Sequence, residues 1–218
     1  MKHKLMVGLM LSACLIVLAA CGGNADSKSG SGSGGKTYSI GISQIAAHPS
    51  LDATYQGFLA ALADAGIVEG ENLKVDYNVA AGDQTNNLSI AQKLASANHD
   101  LVLAIATPSA QAVAQYVTKT PVLFSAVTDP VDAGIVTNLE KPGGNITGAS
   151  DTNPEAIVQL MDFIAKEFPD TKNVGLIINT GEPNAVVMAE NAQQQLATHG
   201  IQSVRAAVAN TSEVKQAA

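Results

Sequence analysis

The chain has 218 residues, and its 12 Lys and Arg face 19 Asp and Glu for a net charge of −7. That length suits one large domain or two small ones. The acidic balance speaks against nucleic acid, which demands Lys/Arg patches, and against electrostatic adhesion to anionic lipid.

The first twenty residues point to a compartment. Lys2 and Lys4 precede an apolar run over 5–20 that ends in Leu18-Ala19-Ala20-Cys21. Small residues before a cut and a Cys directly after it form the lipobox, which a plain signal peptide lacks. The run is shorter than the roughly 20 apolar residues of a membrane helix. An uncleaved anchor is the alternative, and either way the body lies outside the cytoplasm. One acyl chain holds a bilayer weakly, so stable attachment needs two or three on Cys21. Loss of Lys2 and Lys4 with this leader takes the net charge from −7 to −9. Cys14 leaves too and Cys21 takes lipid, so no thiol remains for a disulfide, a metal or a nucleophile. Residues 22–36 then read as a flexible Gly/Ser tether, about 20 Å end to end.

Beyond the tether, short β-branched runs alternate with longer amphipathic stretches. Residues 37–44 predict a strand and 51–65 a helix. Further strands are expected at 73–79, 101–105, 121–126, 146–149, 173–178 and 203–209. Helices are expected at 84–97, 109–117, 154–168 and 184–198. Such alternation, with continuous apolar strands, means an α/β fold whose parallel sheet is covered on both faces.

An internal repeat adds to this. Residues 40–67 align without a gap on 174–201, matching Gly41 with Gly175, Pro49 with Pro183, and Gly66-Ile67 with Gly200-Ile201. Each copy reads as strand, loop, Pro near a helix start, amphipathic helix and Gly stop. Two lobes are therefore expected, 37–150 and 151–218, with a cleft at the C-terminal ends of their strands, where open α/β sheets bind ligands. Residues 211–214 look like a helix being capped and begun, so the second lobe reads as cut short after Ala218; a genuinely small lobe is the alternative.

The strand-end loops carry the polar groups. Gln44, His48 and Leu51 follow the first strand. Thr107 and Ser109 follow the third, with Ser109 expected as an N-cap whose following amides suit an anion or simply cap the helix. Thr128 and Asp129 follow the fourth; Asp129 either pairs with an ammonium group or caps its own turn. Ser150 and Asp151 end the crossing strand, and Glu182 and Asn184 occupy the second copy of the His48 loop. Amides for an anion and carboxylates for a cation suit a zwitterion.

Enzyme patterns find no support in the sequence: no G-x-S-x-G occurs, and the GSGSGGKT at 30–37, which spells both a P-loop and a G-x-G-x-x-G, belongs to the Gly/Ser tether and leads into the first strand instead of joining a strand to a helix. His99 and His199 fall at helix ends, where they complement the dipole. No His spacing proposes a metal site, and His48 with Asp52 spans one helical turn rather than a triad. A hydrolase built on His48 is the minority reading; no cofactor is expected.

Several stretches together carry a resemblance: ISQIAAHPSLD at 42–52, AGDQ at 81–84, IATPSAQ at 105–111, AVTDP at 126–130 and KPGGNITGASD at 141–151. With the lipobox, they resemble ABC-transporter substrate-binding lipoproteins of the tryptophan/tyrosine uptake type, from about Tyr38 to the end. The resemblance implies a type I periplasmic-binding fold: two Rossmann-like lobes closing over a solute. It implies a pocket of Gln44, His48, Leu51, Thr107, Ser109, Thr128, Asp129, Ser150, Asp151, Glu182 and Asn184, and an aromatic amino acid as solute. It also implies delivery to an ABC permease by a monomer anchored to the membrane at Cys21. Sugars or nucleosides are the competing ligands, and a solute sensor presenting ligand to a receptor is the competing role.

Overall fold

The computed structural model describes residues 36–218. The leader, Cys21 and most of the tether lie outside them. Thr37–Ala218 forms one compact unit with two parallel sheets, so the fold is α/β as expected. In chain order it runs β1 (Tyr38–Gln44), α1 (Pro49–Asp64), β2 (Leu73–Val79), α2 (Gln84–Ser96), β3 (Leu101–Ile105) and α3 (Thr107–Tyr116). Then come β4 (Val122–Val127), β5 (Ile146–Ser150), α4 (Pro154–Glu167), β6 (Asn173–Asn179), α5 (Pro183–Thr198) and β7 (Gln202–Val208). A 3-10 turn (Thr211–Glu213) leads into α6 (Val214–Ala217). Among the described residues no helix is long and apolar enough to cross a membrane.

The first sheet has the order β2-β1-β3-β4-β5, every pair parallel. Alternation along the strands divides its apolar residues between two layers. Ile40, Ile42, Leu103 and Ile105 pack with Leu51, Tyr55, Phe58, Leu59 and Leu62 of α1. Val102, Ala104, Val122 and Phe124 face the other way, onto Ala91 and Leu94 of α2 and Ala110 and Val113 of α3. That approach is close at Gly41, where a Cβ would come within 2.7 Å of both His99 and Leu94. The edge strand β5 approaches more closely still, since a Cβ on Gly148 would collide with the Phe124 carbonyl.

The second sheet has two strands, β6 and β7, also parallel. Met161 of α4 and Ala192 and Leu196 of α5 cluster with Ile201, Val174 and Leu176 beside it. The repeat holds at the level of elements. Helices α1 and α5 each have 16 residues and a Pro in the first turn, and Gly66 and Gly200 follow them with φ of 78° and 69°. Left-handed backbone of that kind satisfies the last helical carbonyls and is what glycine supplies at least strain.

One cap differs from expectation. Ser109 is not the cap of α3: the helix begins at Thr107 and its N-cap is Ala106, at φ 75°, with no side-chain bond. Pro108, pre-set for a first helical turn, starts the helix earlier and carries Ser109 inside it. At the C-terminal end a helical turn does begin at Thr211, as 211–214 suggested, and the preceding Asn210 is its cap, Oδ1 accepting from the Ser212 amide at 3.0 Å.

Candidate functional site

In a sheet ordered β2-β1-β3-β4-β5, the chain leaves β1 toward one edge and β3 toward the other. The crevice at the carboxyl end between those strands is where such folds hold ligands. Gln44 ends β1 and pairs with Ile105, which ends β3; Val127 and Ser150 end β4 and β5 and pair likewise. Three alanines on this rim have positive φ: Ala81 after β2, Ala106 after β3 and Ala126 in β4. Each such residue costs about 1–3 kcal/mol, and strain of that sort gathers at functional sites.

A hollow of about 360 Å³ opens at one end of the rim. Thr128 and Asp129 after β4, and Asp151, Thr152 and Asn153 after β5, supply its polar side. Ile157 of α4 with Val187 and Met188 of α5 supply its apolar side, and Asn191 adds an amide there. The hollow thus joins the rim of the first sheet to a helix that packs with the second. Of the expected site residues it gathers Thr128, Asp129 and Asp151. Nothing in the sequence marked Ile157, Val187, Met188 or Asn191, which read as ordinary residues of amphipathic helices.

The other expected residues are placed as follows. Gln44 is wholly buried; its Nε2 donates at 2.8 Å to both the Ala46 carbonyl and Asp52 Oδ1. His48 is the N-cap of α1, its Nδ1 accepting from the Ser50 amide at 3.3 Å. Leu51 packs on the Ile42 layer of the core. Thr107 Oγ1 accepts from the Thr128 amide at 3.3 Å, tying the β3 and β4 loops together. Ser109 is buried and turned away toward α2, donating to Asn87 Oδ1 at 3.3 Å, while Asn87 donates to the Pro108 carbonyl at 2.9 Å.

Asp129 takes the second of its two expected roles in this structure: Oδ1 accepts from the Val131 and Asp132 amides, both at 3.0 Å. It lines the hollow nonetheless. Ser150 Oγ lies 2.7 Å from the Val127 carbonyl and 3.0 Å from that of Thr128, so its one proton pins β5 to the β4 loop. Glu182 begins α5 without a side-chain cap bond, its Oε1 accepting instead from Asn179 at 3.0 Å. Asn184 Oδ1 is buried and has no partner.

One cluster on the β1–α1 side escaped the sequence reading. Tyr55 and Tyr77 stack with ring centroids 4.3 Å apart and planes 6° apart. Burial first, and then the Asp52 carboxylate, push the Tyr77 hydroxyl above its ordinary value. Asp52 is also the carboxylate that accepts from Gln44 Nε2. No group of His, Cys, Asp and Glu able to hold a metal ion occurs among the described residues.

Residues 39–218 match the family described as ABC transporter substrate binding protein. The chain is 37% identical, over 99% of its length, to a "Tyrosine-binding protein" of Clostridioides difficile (strain R20291), of which it covers 64%. A solved structure described as an ABC domain in complex with L-Trp from Streptococcus pneumonia superposes with a TM-score of 0.77 at 34% identity, covering 84% of this chain and 61% of the other. A ligand-free, open substrate binding protein with adhesive properties from Clostridium difficile superposes with a TM-score of 0.58 at 39% identity, covering 83% and 60%. The chain spans less than two thirds of the length of each of these proteins.

Proposed function

Since the chain belongs to the ABC transporter substrate-binding proteins, we propose that it captures an aromatic amino acid between its two sheets and delivers it to an ABC permease. The hollow shared by the β4 and β5 loops and α5 carries this reading. Its volume of about 360 Å³ falls within the roughly 300–1,000 Å³ of small-molecule sites, and such sites pair apolar walls with a few polar groups. Asp129 and Asp151 suit the solute's ammonium group and Thr128 its polar end. Met188, Ile157 and Val187 suit a ring, sulfur beside an aromatic edge being favourable by about 0.3–1.5 kcal/mol.

Two further observations support it. The relatives matched above are described as binding tyrosine and as holding L-Trp. The tryptophan-bound structure superposes better than the open, ligand-free one although it is less identical in sequence. Sequence distance does not account for that difference.

On this reading 37–150 and 151–218 act as two lobes that close on the solute. Closure requires contacts from both, because only a difference in affinity between open and closed forms shifts the equilibrium. The leader at 1–20, acylation at Cys21 and the tether at 22–36 hold the monomeric body on the extracytoplasmic face of the membrane, and no cofactor is required.

Thermal unfolding with L-tryptophan, L-tyrosine, L-phenylalanine, sugars and nucleosides tests the central claim. A ligand at a hundredfold excess over Kd adds about 2.7 kcal/mol of stability, which a melt detects readily. The aromatic amino acids should raise the midpoint and the others should not. Silence from all three aromatic amino acids would defeat the reading. Mass spectrometry of the membrane-extracted protein tests the anchor, with diacylation or triacylation expected at Cys21.

A further inference from the structure

We infer that Asp52 is a positioning residue for solute capture: with Gln44 it straps the β1–α1 loop so that His48 is presented at the rim, and Gln44 itself does not touch the solute. This rests on the reading that the rim holds a solute.

The amide of Gln44 has two protons to give. One goes to the Ala46 carbonyl and the other to Asp52 Oδ1, each at 2.8 Å. Both partners only accept, so a flipped amide would set its oxygen against two others. Its orientation is therefore fixed. The remaining atom, Oε1, is buried and has no partner, an unfavourable state for a carbonyl.

The strap governs a loop already held along its backbone. The Gln44 carbonyl accepts from the Ala80 amide at 2.9 Å and the Ile45 carbonyl from the Gly82 amide at 2.7 Å. With Ala46 taken by the Gln44 side chain, three successive carbonyls are fixed. The next polar group outward is His48, exposed at the rim. Its Nδ1 accepts from the Ser50 amide, so the neutral ring carries its proton on Nε2. That N–H donor suits the carboxylate of an amino acid. One turn of helix sets the distance of Asp52 from His48, the Asp52 amide donating to the His48 carbonyl at 2.8 Å.

Isothermal titration of the full chain with L-tryptophan and L-tyrosine, together with the ¹⁵N-resolved side-chain amide signals of Gln44, tests the inference. Asp52→Ala should weaken binding about tenfold, the effect of losing one charge-assisted hydrogen bond, and expose the Gln44 amide to rapid exchange. Asp52→Asn keeps an acceptor and should restore binding to within about threefold. The Gln44→Ala/Asp52→Ala double variant should bind no more weakly than Gln44→Ala alone, because the two residues act as one. Wild-type affinity in Asp52→Ala, or losses that add in the double variant, would overturn the inference. If Asp52→Ala does not fold, Asp52→Asn and the wild-type amide signals decide it, a rapidly exchanging Gln44 amide in the folded wild type being enough to sink the strap. A protected Gln44 amide in a protein that binds neither amino acid would instead defeat the proposed function and leave the strap standing.

Discussion

The two strand–loop–helix units, β1–α1 and β6–α5, share a grammar and differ in what surrounds them. β1 lies inside a five-stranded sheet and β6 in a pair. Five consecutive residues of β1 are buried, whereas β6 alternates between exposed and half-buried. The matched glycines make the point sharply. Gly41 is hemmed in by His99 and Leu94, while nothing lies within 4 Å of a Cβ placed on Gly175. The same residue at the same place in a repeat is required in one copy by packing and is not so required in the other. Local pattern specifies the element; the number of neighbours decides what each position tolerates.

Truncating one fully buried leucine on each side should give the largest effect. Leu94 and Leu196 are both inaccessible to solvent. Leu→Ala in a core costs about 2–5 kcal/mol, more where the site cannot collapse. Leu94, packed among α2, α3 and the sheet, should lie near the top of that range. Leu196, in a small cluster beside two strands, should lie near the bottom. Urea unfolding measures both, and equal losses would erase the contrast.

The glycines come next. Gly41→Ala should cost about 1–3 kcal/mol through overpacking, the lower end applying if the His99 ring swings aside. Gly175→Ala should be neutral or stabilising by up to about 1 kcal/mol, since it restricts the unfolded chain without a clash. A Gly175→Ala loss as large as that of Gly41→Ala would show that the second sheet is covered in solution.

Helix starts differ more modestly. Asp83 caps α2, accepting from the Asn86 amide at 2.8 Å, and Asp83→Ala should cost about 1 kcal/mol. Glu182 starts α5 without a cap bond, so Glu182→Ser should gain a few tenths of a kcal/mol from the cap, less what is lost at Asn179. If Glu182 meets the solute, the same variant should melt higher and bind more weakly. A parallel rise in both would remove Glu182 from the site.

These contrasts also explain what could be read from residues in a row. Helix starts and stops were legible where chemistry is local: Pro49 and Pro183 open helices, Gly66 and Gly200 end them, and observed strands fall within a residue or two of the expected ones. Strand order was not legible, because pairing β1 with β3 depends on residues sixty positions apart. Ser109 misled because the usual cap residues are Ser, Thr, Asp and Asn, whereas here Ala106, at φ 75° and with no side-chain bond, stands at the cap and Pro108 lies in the first turn. The same limit applies to the candidate site. Thr128, Asp129 and Asp151 stand at strand ends, where a polar side chain is conspicuous. Met188 and Asn191 sit on a helix whose face could be known only once it had packed. Gln44 was conspicuous too, but its burial and its bonds to Ala46 and Asp52 depend on the folded loop and could not be read in advance.

The smallest contrast is electrostatic. One carboxyl on each side is held below its ordinary value of 3.8. Burial acts first on Asp76, and upward, but hydrogen bonds from Lys93 and Asn78 and the charges of Lys93 and His99 outweigh it. For Asp162 hydrogen bonds from His199 and Gln195 lead, and the group is fully exposed. A carboxyl whose folded value is depressed binds protons more readily when unfolded. Its stabilisation is therefore complete above about pH 4–5 and is lost as pH falls through 3.8 and below. Asp76→Asn and Asp162→Asn should each be less stable than wild type at pH 6, and both gaps should narrow as pH falls from 4 toward 3. The Asp76 gap should be the larger, within the ~1 kcal/mol usual for such pairs, because Asp76 is the less exposed and faces both Lys93, at 2.7 Å, and His99, whereas Asp162 faces His199 alone. Urea midpoints at the two pH values give the comparison. An Asp162→Asn gap that persists unchanged at pH 3 would mean that the bond to His199 works by shape rather than charge, and the electrostatic difference between the halves would disappear.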